Sequence, residues 1–226
     1  MKIKLIAKAL VAAAALLLLQ SVSHSTGGVT VADLDREAYE MMRSSFTARG
    51  IATMDRLFPL DPINQRCAEA ARTGKPLDDA TLRQIQESQM RTIRFPADGR
   101  FLGEWREGEL IAQSGRGLTW TDAAVLAAGG NCFNCHQMTR EEISFGNLGP
   151  SLLNYGLLRG VTDPNSPDAR AIVEYTWGVI WNPRAFFPCS TMPRAGYKGI
   201  LTEDQVRHVM AFLLDPNSPV NRPAAP

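Results

Sequence analysis

The chain has 226 residues, with 24 lysines and arginines against 23 aspartates and glutamates, and a formal net charge of +1. This balance lacks the single-sign charge that is typical of proteins that bind nucleic acid or a membrane surface. A chain of this length buries enough apolar surface for one domain, or for one domain with an extension.

The N-terminus has the pattern of a secretory signal. Three lysines lie in the first eight residues, and an uncharged apolar run and then small polar residues follow them. The pattern predicts a signal peptide over residues 1–25, cleaved after Ser23 or Ser25. An uncleaved anchor is the alternative, but the apolar run is shorter than the roughly 20 residues that span a bilayer. We therefore expect an exported protein with no membrane span in the mature chain.

The sequence of residues 26–98 predicts a helical, polar N-terminal extension. Helix starts are indicated by Asp61 before Pro62 and by the aspartate pair that begins at Asp78, while Gly74 marks a helix end. None of these helices has a broad apolar face, so we expect them to cover a core that is formed elsewhere in the chain. The last residues, 222–226, are predicted to be a disordered tail.

Two further helices lie near the ends of residues 99–221. The first contains Gly108, and a glycine inside a helix costs roughly 1 kcal/mol relative to alanine, which predicts close packing against a second helix. That second helix begins with a capping box from Thr202 to Gln205 and carries a wide apolar arc. The sequence between the two helices is rich in glycine and proline and has few strand-like runs. The predicted fold class is therefore all-α.

The motif "CFNCH", residues 132–136, contains two of the four cysteines and one of the three histidines. A zinc site needs four ligands, and the remaining cysteines and histidines are not paired. A thioredoxin-like redox pair follows a buried strand, which the preceding residues do not resemble. A covalent haem needs only the motif: Cys132 and Cys135 form thioethers with its vinyl groups, and His136 binds the iron. Because the motif occurs once, the sequence predicts one haem c.

The second axial ligand has to come from another part of the chain. Met192 lies in an irregular loop before the last helix, and we predict it as the distal iron ligand. His208 is expected on a solvated helix face, Met138 is too close to His136 to reach the opposite side, and Met210 is expected in the core. Histidine and methionine ligation leaves no open position on the iron, which indicates electron transfer rather than bond making.

A ligating histidine usually donates its other ring N–H to a fixed acceptor. The carbonyl of Pro150 is the predicted acceptor for His136, although Gly149-Pro150 has an equally good interpretation as a simple turn. Trp177, Trp181 and Tyr155 are candidates to line a haem, but a plain core role is the more common one.

Cys67 and Cys189 remain after the motif has been assigned. In an exported protein, two remaining cysteines most simply pair with each other, and two buried free thiols are the alternative. The predicted disulfide would tie the N-terminal extension to the loop that carries Met192.

Several linked stretches resemble a known family. A single CxxCH, a later Gly-Pro turn, a Met-Pro loop and a capped last helix resemble class I cytochromes c. More narrowly, the chain is similar to the SoxX family, the mono-haem subunits of SoxAX cytochromes, over about residues 101–221. The stretches that carry this likeness are "GEWREGELIAQSGRG", "GNCFNCHQ", "NLGPSLLNYG", "FFPCSTMPRAG" and "ILTEDQVRHVMAFLLDPNSPVN".

The resemblance implies a class I cytochrome c domain over residues 99–221 in a periplasmic protein. It implies a heterodimer with a SoxA-like haem subunit, which joins thiosulfate to a cysteine of a SoxYZ-like carrier protein (L-cysteine S-thiosulfotransferase activity). The SoxX-like subunit relays electrons to a small acceptor cytochrome c and is not catalytic alone. Carried over to this chain, Cys132 and Cys135 attach the haem, and His136 and Met192 bind its iron. A free-standing electron carrier that serves another dehydrogenase or oxidase is the alternative function.

Overall fold

The computed structural model describes residues 30–123 and 127–222. The predicted signal peptide and residues 223–226 of the predicted tail lie outside these ranges. The helices are α1 (Val31–Ser45), α2 (Pro62–Thr73), α3 (Asp79–Met90), α4 (Trp105–Gln113), α5 (Arg170–Trp181) and α6 (Glu203–Leu214). The described residues form no β-strand, only one isolated bridge between Arg49 and Ala52, so the all-α prediction is confirmed. None of the helices described is long and apolar enough to cross a membrane.

The chain divides into two compact units. The first ends at Thr47 and contains α1, and the second begins at Ala48 and contains α2 to α6. Helix α1 starts with a reciprocal capping box in which the Thr30 hydroxyl accepts the N–H of Asp33 and the Asp33 carboxylate accepts the N–H of Thr30. None of its side chains is buried, so this helix is formed by local interactions.

Helices α2 and α3 begin at the predicted aspartates. Asp61 Oδ1 accepts the N–H of Ile63 at 2.9 Å, and Asp78 Oδ1 accepts the N–H of Thr81 at 2.8 Å. Gly74 ends α2 in the left-handed conformation, with a φ of 66°. Ile85 is the one buried residue of these two helices. They therefore cover the core, as predicted, instead of forming it.

The core is built on the crossing of α4 and α6. A Cβ atom added at Gly108 would lie 2.0 Å from the carbonyl oxygen of His208, so the two backbones touch at that point. The N–H of Gly103 donates to the Arg207 carbonyl at 2.9 Å just before α4 begins. The predicted capping box of Thr202 and Gln205 opens α6, whose buried residues are Val206, Val209, Met210, Ala211, Phe212, Leu213 and Leu214. The predicted helix crossing is confirmed.

Helix α5 was not predicted. It follows a 3₁₀ turn capped by Ser166. Its buried residues lie on most sides of the helix and are Val173, Thr176, Trp177, Gly178, Ile180 and Trp181. Trp177 and Trp181 stack on each other, with ring centroids 5.9 Å apart, and their indole N–H groups donate to the carbonyls of Arg94 and Thr92. The segment after α3 thus closes one side of α5, and both tryptophans have the core role that we considered the more common one.

Candidate functional site

The CFNCH motif forms a tight turn. Residues Cys132–Asn134 are a 3₁₀ turn, and the N–H of His136 donates to the Cys132 carbonyl at 3.0 Å. Phe133 is buried, with its ring centroid 6.4 Å from that of Phe212 on α6. The turn is therefore anchored to the core through Phe133, whereas Cys132, Cys135 and His136 remain partly exposed.

The residues before the motif are held by both core helices. The N–H of Gly130 donates to the carbonyl of Ile111 in α4 at 2.8 Å, and the N–H of Asn131 donates to the carbonyl of Ser114 at 3.0 Å. From α6, the Gln205 side chain donates to the Ala128 carbonyl at 2.7 Å. The α4–α6 crossing thus sets where the motif lies.

A second loop, residues 146–152, runs along the motif. The N–H of Gly146 donates to the Phe133 carbonyl and that of Gly149 to the Cys135 carbonyl, both at 2.8 Å. A Cβ atom added at Gly149 would lie 2.2 Å from Cε1 of His136. The backbone of this loop therefore packs directly against the imidazole, and a larger residue at Gly149 would displace the ring.

The same loop determines the tautomer of His136. Its Nδ1 lies 2.7 Å from the carbonyl oxygen of Pro150, the acceptor that the sequence suggested. A carbonyl oxygen can only accept, so Nδ1 carries the proton and the neutral ring has its lone pair on Nε2. His136 is therefore prepared to bind a metal through Nε2.

The two motif cysteines are unpaired thiols. Burial raises the pKa of the Cys132 thiol to about 11, so at neutral pH it is protonated. Redox-active CxxC pairs depend on a lowered pKa, because the thiolate is the reactive form. The site thus has two unpaired thiols beside a histidine, and Cys132 is not the activated thiolate of a disulfide exchanger.

The predicted disulfide between Cys67 and Cys189 is present. It joins α2 to the loop that carries Met192. Met192 itself is partly buried, and its N–H donates to the Ser190 hydroxyl at 3.2 Å. The competing methionines, Met138 and Met210, are fully buried in the core cluster.

The expectation for His208 was wrong. Its ring does not lie on a solvated face of α6: it is half-buried, and its Nδ1 accepts the N–H of Glu104 at 2.8 Å. A Cβ atom at Gly103 would lie 2.5 Å from that Nδ1, so the segment that leads into α4 covers the ring. His208 therefore stabilises the helix crossing.

The residues of the motif are compatible with a haem c. Two unpaired thiols lie within one turn, a histidine beside them has its free lone pair on Nε2, and a thioether at Met192 lies on a separate, well-anchored loop. Imidazole and thioether are donors that haem iron accepts, but no hydrogen bond among the described residues joins the Met192 loop to His136.

Comparison with known proteins finds a relative over part of the chain. No family model matches the chain. Over 137 residues, 58% of this chain, the sequence is 38% identical to an uncharacterized lipoprotein of Aquifex aeolicus (strain VF5). The matched region spans 59% of the length of that relative, so the two proteins share a large part of their sequences but not their full extent.

Proposed function

We propose that this chain is an exported mono-haem cytochrome c with the class I fold. In this proposal it is the SoxX-like, electron-relaying subunit of a periplasmic complex that couples thiosulfate to a carrier-protein cysteine. The observation that carries the cytochrome assignment is the hydrogen bond from His136 Nδ1 to the Pro150 carbonyl, next to two unpaired cysteines in one turn. The narrower assignment depends on the sequence stretches that resemble the SoxX family.

Each residue of the site has a defined task in this proposal. Cys132 and Cys135 hold the haem covalently, and His136 and Met192 are the protein ligands on its two faces. When bound, the haem supplies a one-electron iron couple. Pro150 and Gly149 keep the imidazole of His136 in one tautomer and orientation. Because His136 and Met192 would both bind the iron, the haem would serve electron transfer, and bond making would belong to a partner subunit.

Two highly exposed apolar side chains lie near the motif. Ile143 and Leu148 follow the motif and are 99% and 85% exposed. Leu148 directly precedes Gly149, so it lies beside the backbone that packs on His136. Single exposed apolar side chains are common on protein surfaces, so the choice of a subunit depends on the resemblance to the SoxX family. A SoxA-like subunit is the proposed partner, with a SoxYZ-like carrier and a small acceptor cytochrome c as further members of the system.

Three observations support export. The first is the signal-like pattern of residues 1–25. The second is the similarity to the uncharacterized lipoprotein of Aquifex aeolicus. A disulfide between Cys67 and Cys189 also suits an oxidising compartment, and we propose the periplasm.

Covalent haem attachment is the first prediction. Protein produced with a c-type cytochrome maturation system should keep its haem stain after denaturing electrophoresis, because thioether bonds survive denaturation. The double substitution Cys132→Ser and Cys135→Ser should lose the stain completely, since both thioether sulfurs are removed. The matched control is Cys67→Ser with Cys189→Ser, which removes the other two cysteines and should retain the stain. A wild-type protein without stain, matured beside a cytochrome that stains normally, would refute the cytochrome assignment.

Purification from a native cell distinguishes a subunit of a complex from a free-standing carrier. A SoxX-like subunit should elute with a second haem protein that binds thiosulfate or its carrier. If the protein elutes alone, and gains no partner when a cell extract is added back, the free-standing carrier replaces the subunit as the proposed function.

A further inference from the structure

The loop that carries Met192 is attached to α2 on both sides of the methionine. Three residues before Met192, Cys189 is bonded to Cys67 in the middle of α2. Two residues after it, the Arg194 guanidinium donates to Asp61, the residue that caps the same helix. Helix α2 thus holds the segment 189–194 at two points, with Met192 between them.

Asp61 is the centre of the second attachment. Its Oδ1 caps α2 by accepting the N–H groups of Ile63 and Asn64, and the same oxygen lies 3.1 Å from Nη1 of Arg184. Its Oδ2 lies 2.7 Å from Nη2 of Arg194. One carboxylate therefore joins the start of α2 to the turn that ends α5 and to the Met192 loop.

The two arginines need this carboxylate. The side chains of Arg184 and Arg194 are 6% and 12% exposed, and that of Asp61 is 23% exposed. Arg184 also donates to the side chain of Asn64, but its buried Nε has no hydrogen-bond partner. A buried cation without its counter-ion costs several kcal/mol, so removal of the negative charge would push these guanidinium groups towards water.

Asp61 stays ionised despite its partial burial. Burial alone would raise the pKa of the carboxyl, but the N–H of Asn64 and the guanidinium groups of Arg194 and Arg184 outweigh it and lower the pKa below its ordinary value. The carboxylate is thus a permanent anion at neutral pH.

Few other contacts hold helix α2 in position. None of its residues is buried, so apolar packing contributes little to its position. Its attachments to the loop are the disulfide and the Asp61 carboxylate. Apart from the contacts with Arg184, α2 is held by the two attachments on either side of Met192, which points to a role in placing that methionine.

We infer that Asp61, through Arg184 and Arg194, is a positioning residue that holds the Met192 loop in place for iron ligation. The inference rests on the proposed function, because it takes Met192 as the distal ligand. It assigns to the N-terminal extension a task that residues 99–221 do not perform alone: α2 restrains the loop so that the methionine stays bound and competing ligands stay out.

The test measures how readily an added ligand displaces methionine in the haem-loaded protein. Imidazole is mixed with oxidised wild type, Asp61→Asn, Asp78→Asn and Met192→Ala, and the rate of the change in the haem spectrum is recorded. Asparagine is a good N-cap, so Asp61→Asn retains the cap of α2 and removes only the charge that the arginines need. Asp78→Asn is the matched control, because Asp78 caps α3 with no arginine in contact.

We expect imidazole to bind Asp61→Asn roughly tenfold faster than wild type, because uncompensated arginines release the loop. Asp78→Asn should bind imidazole at the wild-type rate. Met192→Ala should bind it fastest, because no methionine has to be displaced. Arg194→Lys, which retains a positive charge beside Asp61, should lie between wild type and Asp61→Asn.

The outcomes separate this inference from the proposed function. If Met192→Ala binds imidazole no faster than wild type, Met192 is not the distal ligand and the ligand assignment fails. If Met192→Ala opens the iron while Asp61→Asn behaves as wild type, the ligand assignment stands and the positioning role of Asp61 is overturned. Equal acceleration in Asp61→Asn and Asp78→Asn would overturn it too, because any weakened helix cap would then suffice.

Discussion

Replacement of Met192 by alanine should lower the reduction potential and open the iron to added ligands. Thioether ligation favours the reduced iron, so its loss stabilises the oxidised form. We expect a fall of roughly 0.1–0.3 V, since the choice of axial ligand moves haem potentials over about 0.8 V. A redox titration followed by visible spectroscopy measures this change, and it should leave covalent haem attachment intact because Cys132 and Cys135 are untouched.

The other methionines supply the controls for this prediction. Met138 and Met210 are fully buried, so Met138→Leu and Met210→Leu should each retain the potential and the spectrum. If Met192→Ala had the wild-type potential, or if one of the two leucine variants lost the methionine-ligated spectrum instead, the distal ligand would lie elsewhere.

Replacement of Gly108 by alanine should destabilise the core. Alanine favours a helix by about 1 kcal/mol over glycine, so helix propensity alone predicts a more stable protein. The new Cβ atom, however, would lie 2.0 Å from the His208 carbonyl and 2.8 Å from Cβ of Phe212, and neither is the flexible end of a long side chain. Helices α4 and α6 have to separate, and we expect a net loss of roughly 2–3 kcal/mol in the free energy of unfolding.

Urea unfolding of the same haem-loaded preparation measures this loss. Gly160→Ala is the control, because Gly160 has a φ of +70° and no atom within 4 Å of an added Cβ. This substitution should lower the free energy of unfolding by only about 1 kcal/mol, the cost of placing an alanine in the left-handed conformation. An unchanged or raised midpoint for Gly108→Ala would contradict the close helix crossing.

Local signals in the sequence predicted much of this fold. Asp61, Asp78 and Thr202 cap helices because a short polar side chain before a helix satisfies its free N–H groups. Gly108 indicated a crossing because an interior glycine needs a compensating contact. The pairing of Cys67 with Cys189 followed from the count of cysteines that the motif left over.

The features that sequence reasoning missed depend on contacts between distant residues. Helix α5 lacks a side-chain cap on its own N-cap residue and is apolar on most faces, so it showed no clear amphipathic pattern. Ser166 before Pro167 was the available signal of its start. His208 looked solvated because the chain that covers it, around Gly103, is more than 100 residues away. The contacts of Asp61 with Arg184 and Arg194 likewise join positions 123 and 133 residues apart, which no local pattern shows.

Oxidative folding has to form the Cys67–Cys189 bond and leave the other two cysteines reduced. Four cysteines allow three complete pairings, yet this structure uses one bond and leaves Cys132 and Cys135 as thiols. An exported chain presents Cys67 first, then the two motif cysteines, and Cys189 last. An oxidase that joins cysteines in order of emergence would bond Cys67 to Cys132 and block the motif. In that case, maturation as the proposed cytochrome would need a reductant that protects the motif, or an isomerase that moves the bond to Cys189.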